Sequence, residues 1–268
     1  MDARAGVVEM TPSIRQDLDR QLQRQSIWLR DSWFWLLETK VLGDYVDSER
    51  KPTALDVGCG PGMVMKLLEE LLDLQGIDID PDMVQACISK DLKVKLADAH
   101  ELPFEDGAFD IVYCSFLLLW VRDPVKVVSE MKRVSRRWVV CMAEPDFGAR
   151  IDYPEDVSAL TSMITEGIRR DGGDPQIGRK LRAVYSQCGL EPDLGVHPGI
   201  WSLDKLRMES VDEWRYIEMT VAPERKGADL DKAKRAWTDA LAKGSLFQFN
   251  PVFYAFGQKL PPAPHMDE

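Results

Sequence analysis

The chain has 268 residues, 45% hydrophobic and 29% charged, with a net charge of −11. This is globular composition, long enough to bury a core without disulfides or a metal. Its acidity argues against nucleic acid as a partner, which calls for a positive field. No stretch reaches the ~20 apolar residues of a membrane span, and residues 1–9 hold no apolar run of the kind a signal peptide needs. The five cysteines (Cys59, Cys87, Cys114, Cys141, Cys188) are spread too widely for a disulfide framework or a zinc site. The expectation is no metal and a reducing, cytoplasmic compartment.

Residues 11–47 read as a helix, with Thr11 or Ser13 as caps, Gly43 as a stop and an aromatic cluster of Trp28, Trp33, Phe34 and Trp35. The cluster predicts packing against the domain C-terminal to it. From Thr53 onward strand candidates at 53–57, 74–79, 92–97, 109–115 and 137–143 alternate with helical candidates at 62–73, 81–90 and 123–135. Such alternation predicts an α/β fold, a doubly wound parallel sheet with helices on both faces. Lys132, Arg133, Arg136 and Arg137 read as cations at a helix end. After Pro145 the alternation breaks: a helix at 155–171, a second at 177–187, a strand at 193–200, a helical stretch at 203–243 interrupted near Pro223 and Gly227, and a last strand at 248–258. The tail, 261–268, is proline-rich and reads as disordered.

The most informative segment is Leu55-Asp-Val-Gly-Cys-Gly-Pro-Gly62, which leaves a strand and enters a helix through three alternate glycines. Such a turn lets backbone approach a ligand with no side chain in between. A dinucleotide fingerprint would place glycine at 63, where Met63 stands, and a phosphate loop would end in Gly-Lys-Ser/Thr. Two acids come next, at strand ends. Asp78 is placed to accept from ribose hydroxyls, and Asp98 from an exocyclic adenine amine.

Together with Gly76-Ile-Asp-Ile, Asp98-Ala-His-Glu-Leu-Pro-Phe and Gly107-Ala-Phe-Asp-Ile-Val, the segment resembles the class I methyltransferases of the UbiE-like, type 11 group, over residues 50–143. The resemblance implies a Rossmann-like sheet of seven strands, the last antiparallel, with S-adenosylmethionine as cofactor and S-adenosylhomocysteine as product. It implies cofactor contacts at Asp56, Gly58, Cys59, Gly60, Gly62, Asp78, Ile79, Asp98, Ala99 and Ser115. Gly58 and Gly60 would pass beneath the methionine moiety, Ile79 would pack on the adenine, and Ser115 would lie near the methionine.

Around this core, 49–200 and 248–260, the sequence places an N-terminal helical cover at 1–48 and helical insertions at 147–172 and 201–247, read as a cap over a small-molecule substrate. Glu144 and Asp146 are the candidate general bases, with Tyr153 as a hydrogen-bond donor. His197 reads as structural, and Trp120, Trp201, Trp214 and Tyr254 as candidate pocket walls. A protein side chain or RNA as the acceptor, and a cofactor-binding protein without transfer activity, stay open as alternatives.

Overall fold

The computed structural model describes residues 12–221 and 223–259. Thr11 and the tail at 261–268 lie outside them, as does the side chain of Ser13.

Helix α1 (Pro12–Lys40) passes through a 3₁₀ turn (Leu42–Tyr45) into β1 (Thr53–Val57). Next come α2 (Met63–Leu68), β2 (Asp73–Asp78), α3 (Pro81–Ile88), β3 (Val94–Leu96), β4 (Phe109–Ser115), α4 (Pro124–Val134) and β5 (Ser135–Pro145). The starts of α3 and α4 are written in sequence. Asp80 and Asp123 cap them by accepting from the backbone N–H of Asp82 (2.8 Å) and Lys126 (2.9 Å), each with a proline in the next position. Helix α2 is shorter than the 62–73 predicted, because the chain must leave it to begin β2 at Asp73, opposite Thr53.

The second half runs through β6 (Ile151–Tyr153), α5 (Glu155–Arg170), α6 (Leu181–Gln187), β7 (Pro192–Val196), α7 (Leu203–Thr220), α8 (Ala228–Ala242), β8 (Phe247–Phe249) and β9 (Val252–Gln258). The main sheet has seven strands in the order β3-β2-β1-β4-β5-β9-β7. All pairs are parallel except those made by β9, which runs antiparallel to both β5 and β7. The strand predicted at 248–258 is two strands. Pro251, which lacks an N–H, separates β8, paired with β6, from β9 in the main sheet. That small β6–β8 ribbon, unforeseen from sequence, ties the predicted insertion at 147–172 to the end of the one at 201–247 and the residues just after it.

Residues of the central strands alternate between two cores, as the two-residue period of a strand requires. Leu55, Val57, Val112, Cys114, Val139 and Cys141 join the core shared with α4, α5 and α6. Ala54, Ile111, Tyr113, Val140 and Met142 join the core covered by α1 and α2. On α1, Leu29, Trp33, Leu36 and Leu37 form the buried stripe, continued by Val41 just after the helix, and Trp33 Nε1 donates to the Met142 carbonyl at 3.2 Å. The predicted aromatic cluster therefore divides: Trp33 is core, Phe34 is half-buried, and Trp35 faces solvent.

Candidate active site

The glycine turn lies at the carboxyl end of β1. Gly58, Gly60 and Gly62 have φ of +73°, +52° and +79°, in the left-handed region open to glycine. The Gly58 and Cys59 amides both donate to the Ile77 carbonyl at 2.9 Å. Gly60 N–H donates to Asp78 Oδ2 at 2.8 Å, and Asp80 N–H to Asp78 Oδ1 at 2.9 Å. Asp78 thus joins the turn after β1 to the start of α3, each carboxylate oxygen keeping further accepting capacity. Burial raises its pKa. The glycines differ in what they face. A Cβ on Gly60 would meet nothing within 4 Å, whereas one on Gly62 would strike Leu92 at 2.3 Å. Gly60 borders open space, and Gly62 is required by packing. The Cys59 thiol also turns inward, within 2.9 Å of where a Gly76 Cβ would stand.

Farther along the sheet edge, Ile79 is 55% exposed, an apolar side chain left uncovered beside a carboxylate. Ala99 is buried. Asp98 Oδ1 accepts from the His100 amide (2.8 Å) and pairs with His100 Nδ1 (2.7 Å); against partial burial, these and the nearby Arg122 charge hold its pKa low. Asp56 Oδ2 and Ser115 Oγ are buried with no hydrogen-bond partner among the described residues. Burial pushes the Asp56 carboxyl up to about 8.

The candidate bases are committed elsewhere. Glu144 is fully buried and accepts from three backbone amides, Leu117 at 2.9 Å, Leu118 at 2.6 Å and Leu119 at 3.2 Å. Burial nonetheless raises its pKa to about 8. It shapes the loop after β4, in which Phe116 sits at φ +54° with its amide on the Ala143 carbonyl. Asp146 is buried in a two-point ion pair with Arg179, at 2.5 and 2.8 Å. Tyr153 lies on β6, 60% exposed. Neither Glu144 nor Asp146 is a free group, and Tyr153 faces solvent. Sequence position brings them near the right strand end, but backbone donors and an arginine 33 residues along the chain claim the carboxylates. His197, as expected, is structural: its ring bridges Ser32 Oγ and the Met142 carbonyl, both at 2.7 Å, and burial lowers its pKa to about 4.

A cavity of about 710 Å³, counting its open mouth, lies beside this edge. Its floor is Phe116, Pro145, Phe147 and Val252, at the ends of β4, β5 and β9. Its walls come from α1 (Gln21, Arg24, Gln25, Trp28), from Trp201, Leu206, Glu213 and Tyr216 in and before α7, and from Arg150, Gln248 and Asn250. Of the aromatic residues proposed as walls, Trp201 is one. Trp214 instead stacks edge-on against Trp237, Tyr254 against His197, and Trp120 is half-exposed. The α1 contribution was legible as a stripe at 21, 24, 25 and 28, one helical face. Arg150 and Asn250 carried no periodic signal, because isolated loop residues have none.

A mostly parallel sheet, a glycine turn after the first strand and an acid after the second define the class I methyltransferase architecture. Comparison with known proteins agrees. Residues 55–141 match the family model described as a methyltransferase domain. A protein in a transposon of Streptomyces fradiae is 29% identical over 239 residues, 82% of this chain and 66% of its own length. Among solved structures, a SAM-dependent methyltransferase of Archaeoglobus fulgidus superposes with a TM-score of 0.51 at 18% identity, over 86% of this chain and 94% of its own. A geranyl diphosphate methyltransferase in complex with SAM gives 0.51 at 14%, over 95% and 93%. The chain spans about half to two thirds of the length of the curated relatives it matches. Residues 55–141 thus carry a methyltransferase domain, set in a fold shared with SAM-dependent methyltransferases. Among the described residues, no helix is long and apolar enough to cross a membrane.

Proposed function

We propose that the chain transfers a methyl group from S-adenosylmethionine to a small molecule held in the cavity beside β4 and β5. The observation that carries this reading is the cavity itself, walled by α1 and α7 and floored by the residue next after Ser115. S-adenosylmethionine supplies, when bound, a sulfonium methyl open to in-line displacement. The residues at the sheet edge fit it. Gly60 borders open space, Asp78 retains accepting capacity for two ribose hydroxyls, Ile79 offers an uncovered apolar surface for a flat ring, and Ser115 Oγ lacks a partner among the described residues. Asp98 keeps its second oxygen for the adenine amine.

The protein's work on the acceptor is binding, orientation and exclusion of water. Among the described wall residues the one carboxylate, Glu213, is paired with Arg24 at 3.2 Å, so positioning replaces a dedicated general base. The helical segments that close the cavity, α1 and α7, act as its cover. The same sheet edge serves cofactor and acceptor, as open α/β sheets generally do.

The test is calorimetry with S-adenosylhomocysteine on wild type and on Asp78→Ala. Wild type should bind, and the variant should lose at least about 10-fold in affinity, since a hydrogen bond to a charged group contributes about 1.5–3 kcal/mol. No binding by wild type would defeat the reading; unchanged affinity in the variant would defeat the placement of the ribose.

A further inference from the structure

One wall of the cavity holds a charged side chain whose hydrogen bonding is incomplete. The Arg150 side chain is 3% exposed. Its Nε donates to Asp152 at 2.8 Å, and Nη1 stands 4.0 Å from Glu213. Its Nη2 is buried with no partner among the described residues, and so is Oδ1 of Asn250, another wall residue. A buried donor or acceptor left unmade costs roughly 1–3 kcal/mol, more when charged, so a ligand group that reaches either atom gains what the fold leaves unmade.

Charge decides which group. Among the described residues, two cations and one carboxylate line the cavity (Arg24, Arg150 and Glu213), and Lys205, Glu209 and Asp152 stand against the lining residues from behind. Arg24 is bonded to Glu209 at 2.7 Å and to Glu213 at 3.2 Å, Arg150 is paired with Asp152, and Lys205 lies over the Trp201 ring at 4.5 Å. Three carboxylates, Asp152, Glu209 and Glu213, balance them. A carboxylate or phosphate ligand would satisfy Arg150 but add an uncompensated anion to a largely desolvated cluster. An amine cation would add a charge and leave Arg150 without its acceptor. A neutral carbonyl oxygen satisfies Nη2 at no cost in net charge, and an adjoining N–H satisfies Asn250. The rest of the lining, with Trp28, Phe116, Phe147, Leu206 and Val252, suits an apolar, flat body.

We infer that the cavity selects an uncharged, apolar-bodied molecule of the amide or lactam class, its carbonyl oxygen on Arg150 Nη2 and its N–H on Asn250 Oδ1, which rests on reading this cavity as the acceptor pocket. Arg150 is then the residue that sets specificity against charged competitors.

The test is titration of the full chain, saturated with S-adenosylhomocysteine, with three probes of one size: benzamide, benzoate and benzylamine. Benzamide should bind at least about 10-fold tighter than either ion, the discrimination expected when a buried polar group is left unpaired. Arg150→Lys keeps the charge beside Asp152 but withdraws Nη2, and it should abolish that preference while leaving the affinity for S-adenosylhomocysteine unchanged. Equal or weaker binding of benzamide in wild type, or no binding of any probe, overturns the inference, as does a preference that survives Arg150→Lys. Failure to bind S-adenosylhomocysteine instead overturns the proposed function, and the same titrations without it still report on the cavity.

Discussion

Glu144 shows how one side chain can be drawn away from chemistry by the backbone around it. Three amides converge on its carboxyl group, and with them it fixes the turn that presents Phe116 to the cavity. Glu144→Gln swaps one accepting oxygen for an NH₂ that faces amide donors, so it should cost about 1–3 kcal/mol in urea unfolding; a variant as stable as wild type would remove Glu144 from this role. His197 makes a second prediction, in pH. Its folded pKa, about 4, lies below the ordinary 6.5. Between those values the unfolded chain takes up a proton that the fold refuses, so this histidine's contribution is lost as pH falls from 6.5 toward 4. Asp56 and Glu144, raised to about 8, act in the opposite sense, their fold losing stability as pH rises from about 4 to 8. Comparing His197→Gln with wild type isolates the histidine: the stability difference should shrink with falling pH by up to about 1.4 kcal/mol per unit. A difference constant from pH 4 to 6.5 contradicts the assignment.

At the scale of elements, α1 is bound into the sheet domain by its aromatic stripe. Trp33 is among the largest fully buried side chains and adds an indole hydrogen bond to Met142. Trp33→Ala should cost about 3–5 kcal/mol, whereas Trp35→Ala, two positions along and largely exposed, should stay within about 0.5 kcal/mol. Thermal unfolding of both variants checks this; equal losses would mean that α1 is not docked by its Trp33 face. Alternation of apolar strands and helices from Thr53 to Pro145 was readable because the elements are long enough to show their character and α3 and α4 carry their own caps. The β6–β8 ribbon was not. Three-residue strands have no measurable period, and their pairing joins residues nearly a hundred positions apart.

For the whole molecule, the sequence by itself determined the class of the fold and the placing of the glycine turn and the acids along one edge of the sheet. The glycines at 58 and 60 and the acids at 78 and 98 are local devices, each set by a strand end and a turn, and the fold leaves them where strand order predicts. Even there, tertiary contacts decided which of them face outward: Gly62 answers to Leu92, and the Cys59 thiol to Gly76. Only the tertiary structure decided where the cavity lies. The cavity draws on α1, the strand ends, α7 and the loops at 150 and 250, segments that share no local pattern. It also decided the fate of Glu144 and Asp146, whose carboxyl groups are held by partners that sequence spacing does not reveal. The physical reason is the same in both cases. Propensity and capping act within a few residues, whereas pocket walls and buried charge pairs are settled by which distant segments the core brings together.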